Sequence, residues 1–248
     1  MPLIDDKGRV FGVVNIIDLL VVLLVLAVGV AGVALVTSGG DEGAEPEPTR
    51  YATLSYTTPL ESSAALLDTG ETLSPIGGGD TFDVVDVYRS FDPKGDVSVV
   101  ARVAYRGTPT VGGKQLYGGD NATFTTGSHR VDTTVHTVKQ TETALQTTQV
   151  PVVLSVDASD PVADAIKPGQ TARIGNQTVA TIESVTSTFD GDTRTLRVGV
   201  ELTAWDRDTI DAFDGQALRI GNPVTMVTDE VLIRGQIHEL GTTTPTEE

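Results

Sequence analysis

The chain has 248 residues, no cysteine and a formal net charge of −17, which excludes disulfide bonds, thiolate metal sites and cysteine nucleophiles. A nucleic-acid partner is also excluded, because phosphate binding needs a basic surface that releases counterions. The acidic bias, with few lysines and more Asp than Glu, is typical of halophilic archaea, where salt screens self-repulsion and charge maintains solubility. A cation-attracting surface is the alternative explanation of this charge.

The N-terminal region predicts a single membrane-spanning helix. Residues 19–36 carry no charge, and a helix of that length measures about 27 Å against roughly 30 Å of hydrocarbon. With its flanking residues the helix is expected over residues 10–36, after a cytoplasmic tail at 1–9. A cleaved signal peptide is the alternative, but its apolar region would be only about 7–15 residues long and followed by a small-residue cleavage site.

Charges on either side of this segment predict its orientation. Lys7 and Arg9 precede it, whereas several acidic residues follow it within residues 37–50. The positive-inside rule then places the N-terminus in the cytoplasm and the remainder of the chain outside the cell. Asn15 and Asp18 would share one helix face, so they are candidate contacts with a partner helix. The alternative is that the Asp18 carboxylate reaches back to the lipid headgroups.

The exterior part is organised as two similar segments. A flexible acidic linker is predicted at 37–50, a first β module at 51–140, a junction at 141–150, a second module at 151–241 and a polar tail at 242–248. The modules repeat with an offset of about 100 residues, which becomes a constant 102 near the end of each. The positions at this constant offset are Gly119, Phe124, Thr126, Val131 and Val135, matching Gly221, Met226, Thr228, Ile233 and Ile237.

Short alternating strands separated by Gly, Asn and Asp turns predict the fold class. It is mainly β: an N-terminal single transmembrane helix followed by two tandem, pseudo-repeat, small antiparallel β-barrel or sandwich modules. Whether the two copies form one barrel or two domains is left open by the pattern.

Several segments resemble a known family. Residues 3–12 (LIDDKGRVFG), Asn15 and Asp18 resemble the N-terminal signature of the membrane-anchored domain-of-unknown-function 4330 family. Residues 161–169 (PVADAIKPG), 218–235 and, more weakly, 112–116 extend the similarity. The chain resembles a haloarchaeal type with a duplicated outer domain. The resemblance implies location and architecture, and it supplies no reaction.

A search for chemistry predicts no catalytic, cofactor-binding or metal-binding residue. The three histidines lack metal-ligand spacing, and His136 and His238, 102 residues apart, are predicted to be exposed at strand ends. No phosphate loop, nucleophile elbow or dinucleotide motif is present, and the Gly77–Gly79 run and the Asp-rich segments 92–96 and 190–192 are predicted to be turns. Asn121 and Asn176 begin N-glycosylation sequons.

Three functions are consistent with this pattern. The first is a non-enzymatic binding or assembly protein of the cell envelope, which contacts the bilayer through residues 10–36 and an envelope or membrane-protein partner. The alternative is an accessory subunit of a membrane export or transport complex, docked through Asn15 and Asp18. The third is an envelope hydrolase with scattered carboxylates.

Overall fold

The computed structural model describes residues 9–10, 14–15, 47–60, 67–127, 129–141, 144–190, 193–207, 210–241 and 244–245. The chain divides into two compact units, Met1–Pro46 and Glu47–Glu248. In the first unit, the described residues form two short antiparallel strands, β1 (Arg9–Val10) and β2 (Val14–Asn15).

The predicted helix over 10–36 is wrong at its beginning. Val10, Val14 and Asn15 lie in paired strands, an environment that suits β-branched valine. The predicted contact of Asn15 and Asp18 with a partner helix stays a prediction. Asp18 and the uncharged run 19–36 lie outside the described residues. Within the described part of the chain, no helix is long and apolar enough to cross a membrane.

The first module of the second unit is a closed antiparallel barrel. Its six barrel strands follow the order β10–β3–β6–β5–β4–β9, and a separate small hairpin, β7–β8, precedes β9. The strands are β3 (Thr49–Thr58), β4 (Thr72–Pro75), β5 (Phe82–Phe91), β6 (Val97–Arg106), β7 (Thr110–Val111), β8 (Lys114–Gln115), β9 (Asn121–Thr126) and β10 (His129–Gln140). Closure pairs every barrel strand on both sides, and Leu54, Val84 and Phe124 fill the interior.

The second module has a sheet of its own. Its main path runs β12–β13–β14–β11–β18–β17, and β12 approaches β17 through an isolated bridge between Ala172 and Thr228. The elements are β11 (Thr147–Ala158), α1 (Asp160–Ala165), β12 (Thr171–Ile174), β13 (Gln177–Asp190), β14 (Thr193–Arg207), β15 (Ile210–Phe213), β16 (Gln216–Ala217), β17 (Pro223–Val227), β18 (Leu232–Leu240) and β19 (Thr244–Pro245).

The two modules share one strand connectivity. In the first module, β3 pairs with β6 and β10, and β5 pairs with β4 and β6. In the second module, β11 pairs in the same way with β14 and β18, and β13 pairs with β12 and β14. Turn hydrogen bonds also correspond: the Gly119 N–H donates to the Val135 carbonyl at 2.7 Å, and the Gly221 N–H donates to the Ile237 carbonyl at 2.8 Å. The mainly β class is therefore confirmed, with small antiparallel sheets in tandem.

The modules pack through a shared hydrophobic core. Phe91, Val97 and Val99, at the outer end of the β5–β6 hairpin, belong to the same buried cluster as the interior residues of the second module. The hairpin loop adds polar contacts, because the Pro93 carbonyl accepts from Thr225 Oγ1 at 3.2 Å and the Lys94 carbonyl accepts from Arg234 Nη2 at 2.9 Å. The first module therefore completes the core of the second.

Candidate binding cavity between the modules

A cavity of about 220 Å³ lies where the two modules meet. Strands β3, β6 and β10 of the first module, the connection before β11, and the end of β14 supply its walls. The lining side chains with binding chemistry are Arg102, His136, Gln140, Trp205, Asp206 and Arg207. Both modules therefore supply walls of the cavity, and neither module alone encloses it.

Arg102 is a cation buried by this arrangement. Its neighbours on β6, Ala101 and Val103, face the barrel interior, so strand alternation directs Arg102 to the outer face. The second module and the connection cover that face, and only 5% of Arg102 is exposed. Its Nη2 donates to the Ala144 carbonyl at 3.4 Å. Because a guanidinium does not lose its proton in proteins, the positive charge is retained inside this wall.

His136 and Trp205 form an aromatic corner of the cavity. The imidazole Nε2 lies 2.7 Å from Ser55 Oγ, and its ring meets the Trp205 ring at a centroid distance of 6.1 Å in an edge-on geometry. Burial, and then the positive charge of Arg207, lower the pKa of His136 below its ordinary value. The imidazole is therefore neutral at pH 7.

Arg207 brings a second cation to the cavity. Its guanidinium carbon lies 5.1 Å from the centroid of the Trp205 ring, which is a cation–π distance. Trp205 itself is only 8% exposed, so packing holds its indole ring in place next to the Arg207 guanidinium. Asp206 contributes the one carboxylate among the described lining residues. Two further carboxylates lie close to this lining, since Asp86 is opposite Arg102 on the neighbouring strand and Asp211 is near Asp206.

The hydrogen bonds at the cavity floor orient Gln140. Thr137 Oγ1 donates to Thr53 Oγ1 at 3.1 Å, and Thr53 Oγ1 donates to Gln140 Oε1 at 3.3 Å. Since the amide oxygen accepts a hydrogen bond in this chain, the amide nitrogen is the donor end of the side chain. The cavity can thus offer an amide donor beside the exposed Arg207 guanidinium. These groups suit the binding of an anion.

The histidine prediction is wrong for His136. This residue lies within β10 and is half-buried against the second module. His238 is exposed on β18, and its Nε2 is 3.9 Å from Glu239 Oε1. His129 is exposed at the start of β10. Across the described residues, no group of three or more His, Asp or Glu side chains is placed to hold a metal ion.

The two sequon asparagines lie elsewhere on the surface. Asn121 begins β9 and its Oδ1 accepts from Thr134 Oγ1 at 3.1 Å, while Asn176 occupies the turn between β12 and β13. Both are exposed, and neither lines the cavity. Glycosylation at Asn121 and Asn176 stays a prediction.

Sequence reasoning did not select Arg102, Trp205 or Arg207. The sequence contains an indication that Arg102 and Trp205 are unusual. Arg102 interrupts a strand of small and apolar residues, and Trp205 is the only tryptophan in the chain and is followed at once by two charged residues.

Comparison with known families gives a match over the N-terminal part of the chain. Residues 1–115 match the model of a family described as Domain of unknown function (DUF4330). The DUF4330 match spans the N-terminal segment and the first module up to β8, and it supports the family resemblance over that part. The similar segments at 161–169 and 218–235 lie beyond the DUF4330 match. No curated protein and no solved structure shows a significant similarity to the chain.

Proposed function

We propose that this protein is a membrane-anchored binding protein of the cell envelope, which holds a small ligand between two extracellular β modules without catalysing a reaction. The observation that carries the proposal is the cavity built jointly by both modules, with Gln140, Trp205 and Arg207 among its lining side chains. Pockets for small molecules occur preferentially where domains meet, with a few polar groups that fix the ligand.

The anchor is supported by the sequence. The uncharged run 19–36, extended back through Ile16 and Ile17, is long enough to cross a bilayer. The basic residues before it and the acidic residues after it favour an extracellular position for the Glu47–Glu248 unit. The acidic composition favours a haloarchaeal envelope.

The shared strand connectivity supports an origin of the two modules by duplication. Corresponding turns, such as those at Gly119 and Gly221, use the same hydrogen bond to the last strand. Duplication gives a direct route to a binding site, because two copies that pack together create a cavity that a single copy does not possess.

Replacing Leu23 and Leu24 with arginine should move the protein out of the membrane fraction. A charge at the centre of a spanning helix costs about 2.5–3.5 kcal/mol on insertion scales, so two charges should prevent insertion. The measurement is the share of full-length protein left in alkali-washed membranes. The same two charges placed at the exposed residues Leu60 and Ile76 serve as the control. Equal retention of both variants would contradict the anchor.

A photo-reactive amino acid at Gln140 should capture a small ligand in native membranes. The expected product is the intact full-length protein with an added mass of a few hundred daltons at most, because the cavity is small. The same amino acid at Thr186, exposed on β13, is the control and should give no such product. Capture of a whole protein at Gln140 would replace the proposal with the accessory-subunit function. The absence of any adduct would contradict ligand binding.

A further inference from the structure

We infer that two copies of the chain associate through the outer edge of β13, which is the edge that faces away from β14. Residues 184–189 of each copy pair in antiparallel fashion about Ser187, so the partner is a second copy of this chain. The inference goes beyond the proposed function and does not depend on the cavity between the modules.

The outer edge of β13 is unpaired over the second half of the strand. β12 and the two residues before it bond to β13 only as far as Ile182, whereas β14 pairs with β13 on the other side as far as Asp190. No other strand in the described part of the chain pairs with residues 184–190. All of residues 183–189 are exposed except Val185, which is half-buried. The edge therefore presents a row of backbone N–H and C=O groups with which another strand can pair.

This edge lacks the features that keep exposed strands from pairing with one another. Natural proteins protect such an edge with charged side chains, with proline or with a covering segment. Residues 184–189 (SVTSTF) contain neither a charge nor a proline, although the chain as a whole is strongly acidic. The composition of the edge therefore favours association.

The corresponding edge in the first module is buried. The β-bulges of β5 and β13 correspond, so residues 88–91 of β5 match residues 186–189 of β13. Residues 88–91 are all buried, because this hairpin packs on the second module, whereas residues 186–189 are all exposed. Arg89, which is buried and donates to the Leu67 carbonyl and to Asp68, stands where β13 has Ser187. One copy of this edge thus has a partner within the chain, and the described residues supply none for the other.

Antiparallel pairing about Ser187 brings complementary residues together. In that register, Thr186 lies opposite Thr188 of the second copy, and Val185 lies opposite Phe189 of the second copy. Threonine pairs and pairs of an aromatic with a β-branched residue are favourable across strands. Phe189 is 70% exposed and Val185 is half-buried, so the pairing removes apolar surface of both from water.

Neighbouring registers are less favourable. A shift of one residue towards the start of the strand places Glu183 opposite Asp190 of the second copy, and like charges directly opposite each other are destabilising. A shift of one residue the other way places Val185 opposite Asp190. Either shift separates Val185 from Phe189, so the side chains select the register centred on Ser187.

Attachment to one membrane favours this association. Two anchored chains meet at a raised effective concentration, and this step rests on the proposed anchor. A short paired edge is marginal in free solution, as isolated two-stranded sheets are. We therefore expect dimers in membranes and single chains in dilute detergent solution.

The test uses the absence of cysteine from the chain. In Ser187→Cys the two thiols face each other across the symmetric pair at a Cα separation of about 4.5–5.5 Å, which suits a disulfide bond. Mild oxidation of native membranes should convert most of this full-length variant into a disulfide-linked dimer on a non-reducing gel. Ser184→Cys is the matched control, because Ser184 is an exposed serine of the same edge whose counterpart lies about 20 Å away. Its dimer should form at least about tenfold more slowly.

A second pair of variants tests the apolar contact. Phe189→Ala, made in the Ser187→Cys chain, should slow dimer formation by about fivefold, because two aromatic contacts with Val185 are lost from each dimer. Ile220→Ala in the same chain removes an equally exposed apolar side chain from a turn outside this edge and should leave the rate unchanged. A photo-reactive amino acid at Thr186 should likewise yield a covalent dimer and no small adduct.

Three results would overturn the inference. The first is an equal rate of dimer formation in Ser187→Cys and Ser184→Cys, which indicates random collision. The second is a Ser187→Cys protein that is retained in membranes yet stays unlinked, and the third is a disulfide bond from Ser187→Cys to a different protein. Ligand capture at Gln140 and membrane retention are measured separately, so the proposed function can stand when this inference fails.

Discussion

Replacing Phe91 with alanine should lower the free energy of unfolding by about 3–5 kcal/mol, the usual cost of deleting a buried phenylalanine side chain. Phe91 is 0% exposed and belongs to the hydrophobic cluster of the second module, although it lies on β5 of the first. Because the core is shared, we expect both modules to lose stability together in one cooperative transition.

Two probes within the chain can follow this transition. All five tyrosines precede residue 118, and all of them except Tyr88, whose hydroxyl donates to the Thr203 and Ala212 carbonyls of the second module, report on the first module. Trp205 reports on the second module, and Tyr88→Phe removes the bonds that Tyr88 makes across the boundary. Guanidinium unfolding of the full-length chain, followed by near-ultraviolet circular dichroism and by tryptophan emission, should give coincident midpoints that shift together in Phe91→Ala.

Phe189→Ala provides the matched control. Phe189 is the penultimate residue of β13, at the position that corresponds to Phe91 on β5, yet it is 70% exposed. Its removal should change the free energy of unfolding by no more than about 0.5 kcal/mol. A similar loss from both substitutions, or separate transitions for tyrosine and tryptophan, would show that the modules do not depend on a common core.

Replacing Asp214 with asparagine should stabilise the protein at neutral and alkaline pH, by about 1–3 kcal/mol. Burial, and then the negative charge of Asp92, raise the pKa of Asp214 to about 7 in the folded protein. An unfolded aspartate ionises near pH 3.9. The folded state therefore holds a proton that the unfolded state releases, and stability falls as the pH rises from about 4 to about 7.

Asparagine suits this position for a second reason. Asp214 has a φ of 62°, and asparagine tolerates this left-handed backbone region well. The backbone N–H that donates to Ser90 Oγ at 3.1 Å is also kept. The stability difference between the variant and the wild type should thus vanish below about pH 4 and reach its full size above about pH 7.

Thermal unfolding of the full-length chain between pH 4 and pH 9 measures this difference. Asp229→Asn, at an exposed position of the same module, should show no comparable dependence on pH. If Asp214→Asn is less stable than the wild type by a constant amount at every pH, the carboxylate is not held in an unfavourable environment and the argument fails.

The sequence predicts the strands well because their signals are local. Alternating residues along β6 and β14, and turn residues such as Gly119 and Gly221, mark strand faces and chain reversals within a few positions. The shared core is not predictable in the same way. Alternation indicates that Phe91 is buried, but it cannot say that the covering residues come from the other module.

The cavity is not predictable from the sequence for the same physical reason, which is that its walls come from segments distant along the chain. Arg102 is buried by residues of the connection and of β14, which are distant in sequence, so its strand position alone suggests an exposed side chain. His136 was expected to be exposed at a strand end and lies instead against Trp205. At the N-terminus, hydropathy gives the length of the apolar run but does not fix where a helix begins, and Val10 and Val14 lie in strands.

Because the β5–β6 hairpin packs into the core of the second module, it also constrains how the sequences of the two modules can diverge during evolution. A substitution at Phe91 must be matched by a change in the second module that receives it, so these positions should vary together among descendants of this gene. Phe189 carries no such constraint in the described structure, since its side chain is largely exposed. Recombination that transferred one module without the other would yield a module with an incomplete hydrophobic core. The two modules should therefore be duplicated, fused or transferred together.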